Sequence, residues 1–392
     1  MKTQHLVCAV TLLFVAQSSL LASSYYEVGL VANNATVAAQ FGAPVIDPLL
    51  INPWGMSFST GSPFWVSNQG TGTSTLYSGA GVKAALTVTI PATTAGPQGP
   101  TGQVFNSTTG FAVGGSASAF IFDTLAGTIN AWNNVPTGNT VATTVVTTSG
   151  AVYTGLALAS ATTSGVSANY LYAANFAATT GGGINVFDST FTQVNSTTFA
   201  GKFIDPNAVT GYSPYNVQLV GNDLYVEYAQ RGTGGAITGA GLGYVDVFDT
   251  SGNFVKRLTG PGGALNAPWG VTMAPADFGS FSNDILVGNF GNGLINAFDP
   301  NTGQFLGMVS DSNGMPIDLP GLWAIDFRTN GGGSSVPNGL YFAAGIAGPT
   351  NQSDGLFGYL APVPEPSAYA LAALGLAALA ARAAARRRTA RS

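Results

Sequence analysis

Histidine and cysteine are almost missing from this chain: one of each in 392 residues, His5 and Cys8. Both fall within an N-terminal stretch that reads as a cleaved leader, so the remaining protein is expected to contain neither. That excludes Ser-His-Asp and Cys-His catalysis, zinc or haem held by His or Cys, and disulfides. Any chemistry is left to carboxylates, Lys, Tyr, hydroxyls or an oxygen-ligated metal. Charge is scarce as well, with only 7% Asp, Glu, Lys and Arg. Leader and tail hold six of the twelve bases and one of the seventeen acids, which leaves the body at about −10. A body of that sign does not attract nucleic acid; cations and neutral sugars suit it better. Disorder is excluded by what is plentiful, since 23 Phe, 14 Tyr and 5 Trp can build a large core.

The two ends read as addresses. Residues 1–24 combine Lys2, the apolar run from Leu6 to Ala16 and the small residues Ala22, Ser23 and Ser24, the pattern of a secretory signal helix. Cys8 precedes most of the apolar run, which argues against a lipoprotein signal. At the other end, residues 363–392 place Pro364, Glu365 and Pro366 before an apolar run from Ala368 to Ala381, and Arg386, Arg387 and Arg388 close to the terminus. The run is shorter than the roughly 20 residues of a relaxed spanning helix, but snorkelling arginines let such a helix cross and hold its end in the cytoplasm. In all three parts the segment resembles the PEP-CTERM sorting signal of Gram-negative bacteria. The resemblance implies an exosortase as partner, transient anchoring by a C-terminal transmembrane helix, and a final place at the cell surface or in the exopolysaccharide matrix.

Between the ends, residues 25–362 repeat. An aromatic or small residue, then Gly, then alternating apolar residues recurs from Asn52, Asn106, Val152, Ser213, Ala267 and Gly321, at intervals of roughly 45 to 60 residues. Each is followed by a second segment, such as Phe64 to Asn68 or Ile285 to Asn289, and by a third, such as Tyr244 to Asp249. All are short, rich in β-branched and aromatic residues and bounded by Gly, Asn, Asp and Pro, which is the pattern of strands and turns. A fourth strand fits most units, and four antiparallel strands in units of this length describe propeller blades. The chain is therefore read as an all-β, six-bladed β-propeller. The sixth unit lacks a fourth strand, and the segment from Tyr26 is expected to supply it and close the ring. The Asn-Pro-Trp-Gly run at 52–55 and the stretch from Gly241 to Asn253 make the body similar to a PEP-CTERM-associated propeller family with NHL-like repeats. That resemblance implies no activity. The Gly-rich insertion from Arg231 to Gly243 departs from ordinary NHL repeats.

In such a ring the loops leading into the innermost strands gather at one mouth of the central channel. This predicts Asn52, Asn106, Tyr215, Asn216 and Asn266 at that mouth, with Trp54, Trp269 and Trp323 close by, an amide-and-aromatic surface suited to carbohydrate. The competing reading has Asn capping turns and Trp packing between blades, as the alternation with Met56, Val271 and Ile325 requires. Asp47, Asp205 and Asp318 occupy comparable loops, and carboxylates with amide oxygens could hold calcium, although no EF-hand pattern is present. Asp188, Asp249 and Asp299, ending third strands, and Asn68, Asp123, Asn175 and Asn289, ending second strands, read as turn residues. Glu227 is less regular and could face the channel. Two functions follow: a binding module for polysaccharide or a surface protein with no cofactor, or a calcium-dependent hydrolase or lactonase polarising a carbonyl at the channel mouth.

Overall fold

In the computed structural model, residues 24–92, 98–177, 183–328, 334–346 and 352–363 are described, and they form six antiparallel sheets arranged as a closed ring. From the axis outward, blade one runs Pro53–Ser57, Phe64–Asn68, Thr73–Tyr77 and Lys83–Thr89. Blade four runs Tyr212–Val220, Asp223–Arg231, Tyr244–Asp249 and Phe254–Thr259, and blade five runs Pro268–Met273, Ile285–Asn289, Ile295–Phe298 and Phe305–Met308. Alternate residues of each strand face opposite neighbours, so both faces of a blade are apolar. The result is a separate apolar core at each blade interface instead of one central core; Val226 and Tyr228 pack toward blade three, while Tyr225, Val245 and Val247 pack toward blade five.

The sixth blade confirms the expected closure. Its strands Leu322–Phe327, Leu340–Ala344 and Leu356–Pro362 are completed by Tyr25–Ala32, which pairs antiparallel with the last of them from Tyr25 opposite Pro362 to Ala32 opposite Leu356. The seam is locked further by the Tyr25 hydroxyl, which donates to the Phe278 carbonyl of blade five at 2.8 Å. A short helix, Ala35–Phe41, follows this strand and was not foreseen; Asn34 caps its start by accepting from Val37 N at 3.0 Å, and Gly42 ends it at φ 63°.

One further difference from the expectation lies in blade two. The innermost strand of blade two is Pro100–Phe105, followed by Phe120–Thr124, Thr128–Trp132 and Thr143–Thr147. The segment from Asn106 comes after that strand, at the far end of the blade. Gln103 stands where other blades carry an aliphatic residue, and its amide donates to the carbonyls of Gly55 and Trp65 in blade one at 2.8 and 2.7 Å. A polar residue satisfied in this way hides the strand from a search for apolar alternation. Among the described residues blade three has three strands, Tyr153–Thr163, Val166–Asn175 and Ile184–Phe187, with a single bridge from Phe187 to Gln193 where other blades carry a fourth. The signal helix expected within 1–24, apart from Ser24, and the sorting residues Pro364, Glu365, Pro366, Arg386, Arg387 and Arg388 lie outside the described residues. Among the described residues no helix is long and apolar enough to cross a membrane.

The inner strands come very close around the axis at one repeated position, occupied by Gly55, Gly102, Gly155, Asn216, Gly270 and Ala324. A Cβ on Gly55 would stand 2.4 Å from the Thr101 carbonyl oxygen, and one on Gly270 2.6 Å from that of Trp323. Those neighbours are backbone atoms of strands held in ladders on their other edge, so they cannot step aside. Gly270→Ala is expected to lower the stability of the folded protein by about 1–3 kcal/mol, read as a lower urea midpoint with an unchanged slope. An unchanged midpoint would show that the ring is looser at the axis than described.

Candidate functional site

One residue before the close-contact position, four of the six inner strands carry an aromatic side chain: Trp54, Tyr215, Trp269 and Trp323. Projecting from different blades into the narrowest part of the channel, they meet. Trp54 and Trp323 stack with ring centres 3.5 Å apart, Trp269 stands edge-on to both at 6.2 and 5.8 Å, and Tyr215 closes the group at 6.3 Å from Trp54. Trp269 Nε1 donates to the Thr154 carbonyl at 2.8 Å, tying blade five to blade three across the axis. Trp323 Nε1 donates to Asn52 Oδ1 at 3.0 Å. All four rings are buried, so the expectation of tryptophans packed into the protein holds, but they pack against one another on the axis and not only between blades. Asn52 is fixed from both sides, since its Nδ2 also donates to Gln69 Oε1 at 3.0 Å and Gln352 Oε1 at 2.7 Å.

This aromatic plug lies between two cavities. The one below it, of about 270 Å³, is walled by the lower parts of the inner strands, with Gln103, Asn216, Gln218 and Asp326 among its polar residues. The one at the mouth is larger, about 470 Å³. Trp54, Tyr215 and Phe290 line it together with Phe176, and Gln98, Thr154, Thr233, Gln352 and Arg231 supply polar side chains. Trp54 Nε1 is buried with no acceptor among the described residues. No Asp or Glu is among the described lining residues of the mouth. The hairpin from Arg231 to Ala236 forms one side, held by pairing of Gln230 with Ile237 and Arg231 with Ala236.

The candidates read from sequence are thus partly brought together. Asn52, Trp54, Tyr215, Trp269 and Trp323 form or brace the plug. Asn216 bridges inner strands, donating to the Trp269 carbonyl at 2.6 Å, and opens to the lower cavity. Asn266 holds the Gly-rich insertion, accepting from Gly239 N at 2.7 Å. Asn106 is corrected: it sits away from the mouth, donating to the Ser118 carbonyl at 2.9 Å and accepting from Thr108 N at 3.0 Å. Residues missed at the mouth include Phe176 and Phe290, although an Asn-Phe pair after the second strand, at 175–176 and 289–290, was the available signal.

The three aspartates considered for calcium stay apart. Asp47 pairs with Lys83 at 2.8 Å and accepts from the Tyr77 hydroxyl at 2.6 Å. Asp205 pairs with Arg257, which also bonds Asp246. Asp318 lies in an outer cleft with Tyr26, Asp311 and Val363. Among the described residues no group of three or more His, Cys, Asp or Glu could share an ion. Asp188, Asp249 and Asp299 each accept backbone N–H groups of their own turns, as expected.

Asp123 is no turn residue. It is wholly buried, with Oδ1 2.7 Å from the Thr101 hydroxyl and Oδ2 without a partner among the described residues. Glu227 occupies the equivalent place in blade four, opposite Asn216, fully buried with neither oxygen partnered and lining neither cavity. Burial pushes Asp123 up to about 7 and Glu227 well above the ordinary carboxylate range.

Comparison with known proteins adds two relations. Residues 362–388 match the PEP-CTERM protein-sorting motif. The body is 34% identical over 306 residues to uncharacterized protein R648 of Acanthamoeba polyphaga mimivirus, covering 75% of this chain and 71% of that protein. It is 33% identical to uncharacterized protein L690 of the same virus, covering 75% and 76%. Among solved structures, virginiamycin B lyase from Staphylococcus aureus superposes with TM-score 0.47 at 11% identity, over 87% of this chain and 99% of that one. Hydrazine synthase of Kuenenia stuttgartiensis gives 0.46 at 14%, over 76% and 74%.

The buried acids make stability depend on pH with a definite sign. Unfolded Asp titrates near pH 3.9 and folded Asp123 near 7, so between those values the folded state holds more protons and loses stability as pH rises. The urea midpoint is expected to fall between pH 4.5 and 7.5, and Asp123→Asn to flatten part of that fall, worth on the order of a few kcal/mol. A midpoint that rises with pH over this window would contradict the assignment.

Proposed function

This chain belongs to the family of the mimivirus proteins R648 and L690, and we propose that it is an exported propeller, sorted through its C-terminal motif, that binds saccharide at the channel mouth. The motif at 362–388 is one of sorting for export; an exosortase as its processing partner, a transient membrane anchor and a destination at the cell surface or in the matrix are parts of the proposal. The observation that carries the binding role is the mouth cavity itself. It is about 470 Å³, floored by aromatic rings and edged by amide, hydroxyl and guanidinium groups. Sugars present hydroxyls to such donors and acceptors and apolar ring faces to such rings. The floor is braced by bonds between blades, so little is lost in ordering it on binding.

The hydrolase alternative gains no comparable support. A carbonyl-polarising calcium needs converging oxygen ligands, and Asp47, Asp205 and Asp318 occupy separate parts of the ring. Acid-base catalysis by a carboxylate has no support at the mouth either, since no Asp or Glu is among its described lining residues.

A glycan array probed with the purified protein is expected to show saturable binding, reduced about fivefold or more in Gln98→Ala without a change in melting temperature. Absence of saturable binding to any saccharide would remove the binding role. Sorting is tested separately: Glu365→Ala is expected to leave the protein in the membrane at unprocessed mass. Release of the variant at the parent rate would contradict recognition through the Pro-Glu-Pro triad.

A further inference from the structure

Among the described residues six side chains carry positive charge, and five of them are spoken for. Lys83 pairs with Asp47 at 2.8 Å, and Arg257 with Asp205 and Asp246. Lys202 donates to Asn253 Oδ1 at 2.7 Å, Lys256 to the Pro300 carbonyl, and Arg328 to the Ser59 carbonyl at 3.2 Å. The sixth, Arg231, has no side-chain partner among the described residues, and it lines the mouth cavity. In a body with a clear excess of acids, the one cation without a side-chain partner among the described residues is one that lines the site.

Its backbone, in contrast, is held. Arg231 ends the long second strand of blade four; its N–H donates to the Gly211 carbonyl at 2.8 Å, and the turn that follows is closed by Gly232 N to the Gly235 carbonyl at 2.7 Å. The Gly-rich insertion that sets this blade apart in sequence therefore serves to place one guanidinium at the rim. Five half-buried acids of the blades lie elsewhere. Asp188, Asp223, Asp249, Asp284 and Asp299 stand at or beside the hairpin turns at the other end of blades three to five, by the antiparallel order of the strands. Among the described residues no Asp or Glu lines the mouth cavity itself, while Asp318 and Asp354 lie toward the same end of the ring, in the loop that enters blade six and in that blade.

We infer that the mouth cavity selects saccharides that bear a carboxylate, with Arg231 receiving the acid group while the sugar ring lies against the aromatic floor. A guanidinium offers two parallel N–H donors that match a carboxylate, and this pairing is stronger and more directional than a contact to a hydroxyl. This rests on the saccharide reading of the cavity and narrows it from sugars in general to hexuronates.

The test is isothermal titration of the purified full chain with tetrasaccharides of glucuronate, galacturonate and mannuronate, and with the same tetrasaccharides after reduction of their carboxylates to alcohols. At least one acidic form is expected to bind about tenfold or more tightly than its reduced counterpart. In Arg231→Gln the acidic and reduced forms should bind with equal affinity, while Arg231→Lys keeps part of the preference. Equal affinity for both forms in the parent, or a preference that survives Arg231→Gln, overturns acid selection while leaving a saccharide site in place. Binding of neither form, together with a blank glycan array, removes the saccharide reading and this one with it.

Discussion

The approach of six inner strands to within backbone contact of one another is the constraint on which the rest of the molecule depends. Where Gly55, Gly102 and Gly270 stand there is no room for a side chain, because the neighbouring strand's own peptide groups fill the space, and at Gly155 the Asn216 side chain fills it. Where Asn216 replaces glycine in blade four, its amide becomes part of the contact by donating to the next strand. A ring this tight leaves its axis too narrow for six large side chains. The adjacent position therefore divides its burden, with Trp or Tyr from four blades and Thr101 and Thr154 from the other two.

From that division comes the plug, and from the plug the shape of the site. The indoles of Trp269 and Trp323 find acceptors on other blades, Thr154 and Asn52, so the floor of the mouth is held by the ring as a whole and not by any one blade. Closure at the seam matters for the same reason. If the strand from Tyr25 to Ala32 left the sixth blade, that blade would lose the partner of its strand Leu356–Pro362 and the bond from Tyr25 to blade five. Stability and binding surface are in this sense one structure, and the Gly-rich hairpin that carries Arg231 is the local addition that gives the surface its charge.

How much of this was legible in the residues varies with the kind of physics involved. The blades were, because strand alternation and turn residues are local, and so was the closing strand, since an incomplete sixth unit and a spare N-terminal strand imply each other. The innermost strand of blade two was not: Gln103 breaks the apolar pattern, and its two bonds to blade one exist only once the blades are side by side. Asp123 read as a turn residue because it follows Phe122 at a strand end, whereas its burial depends on the neighbouring blade. For the site, the convergence of Trp54, Tyr215, Trp269 and Trp323 followed from their shared place in the repeat. Arg231 did not, because nothing in a sequence shows which cation lacks a partner.

A stacked indole pair at the axis has an optical signature that makes the closed, plugged ring directly measurable. Circular dichroism of the parent in the strong indole bands should show a couplet of opposite-signed peaks from Trp54 and Trp323, whose ring centres are 3.5 Å apart. Trp132→Phe serves as the background, because it removes the other close indole pair, Trp65 with Trp132 at 4.9 Å; in that background the couplet should lose most of its amplitude in Trp54→Phe and in Trp323→Phe, since Trp269 stands farther off, at 6.2 and 5.8 Å. A Trp132→Phe spectrum without the couplet, or one whose amplitude is unchanged by loss of either axial tryptophan, would contradict the plug and the site built on it.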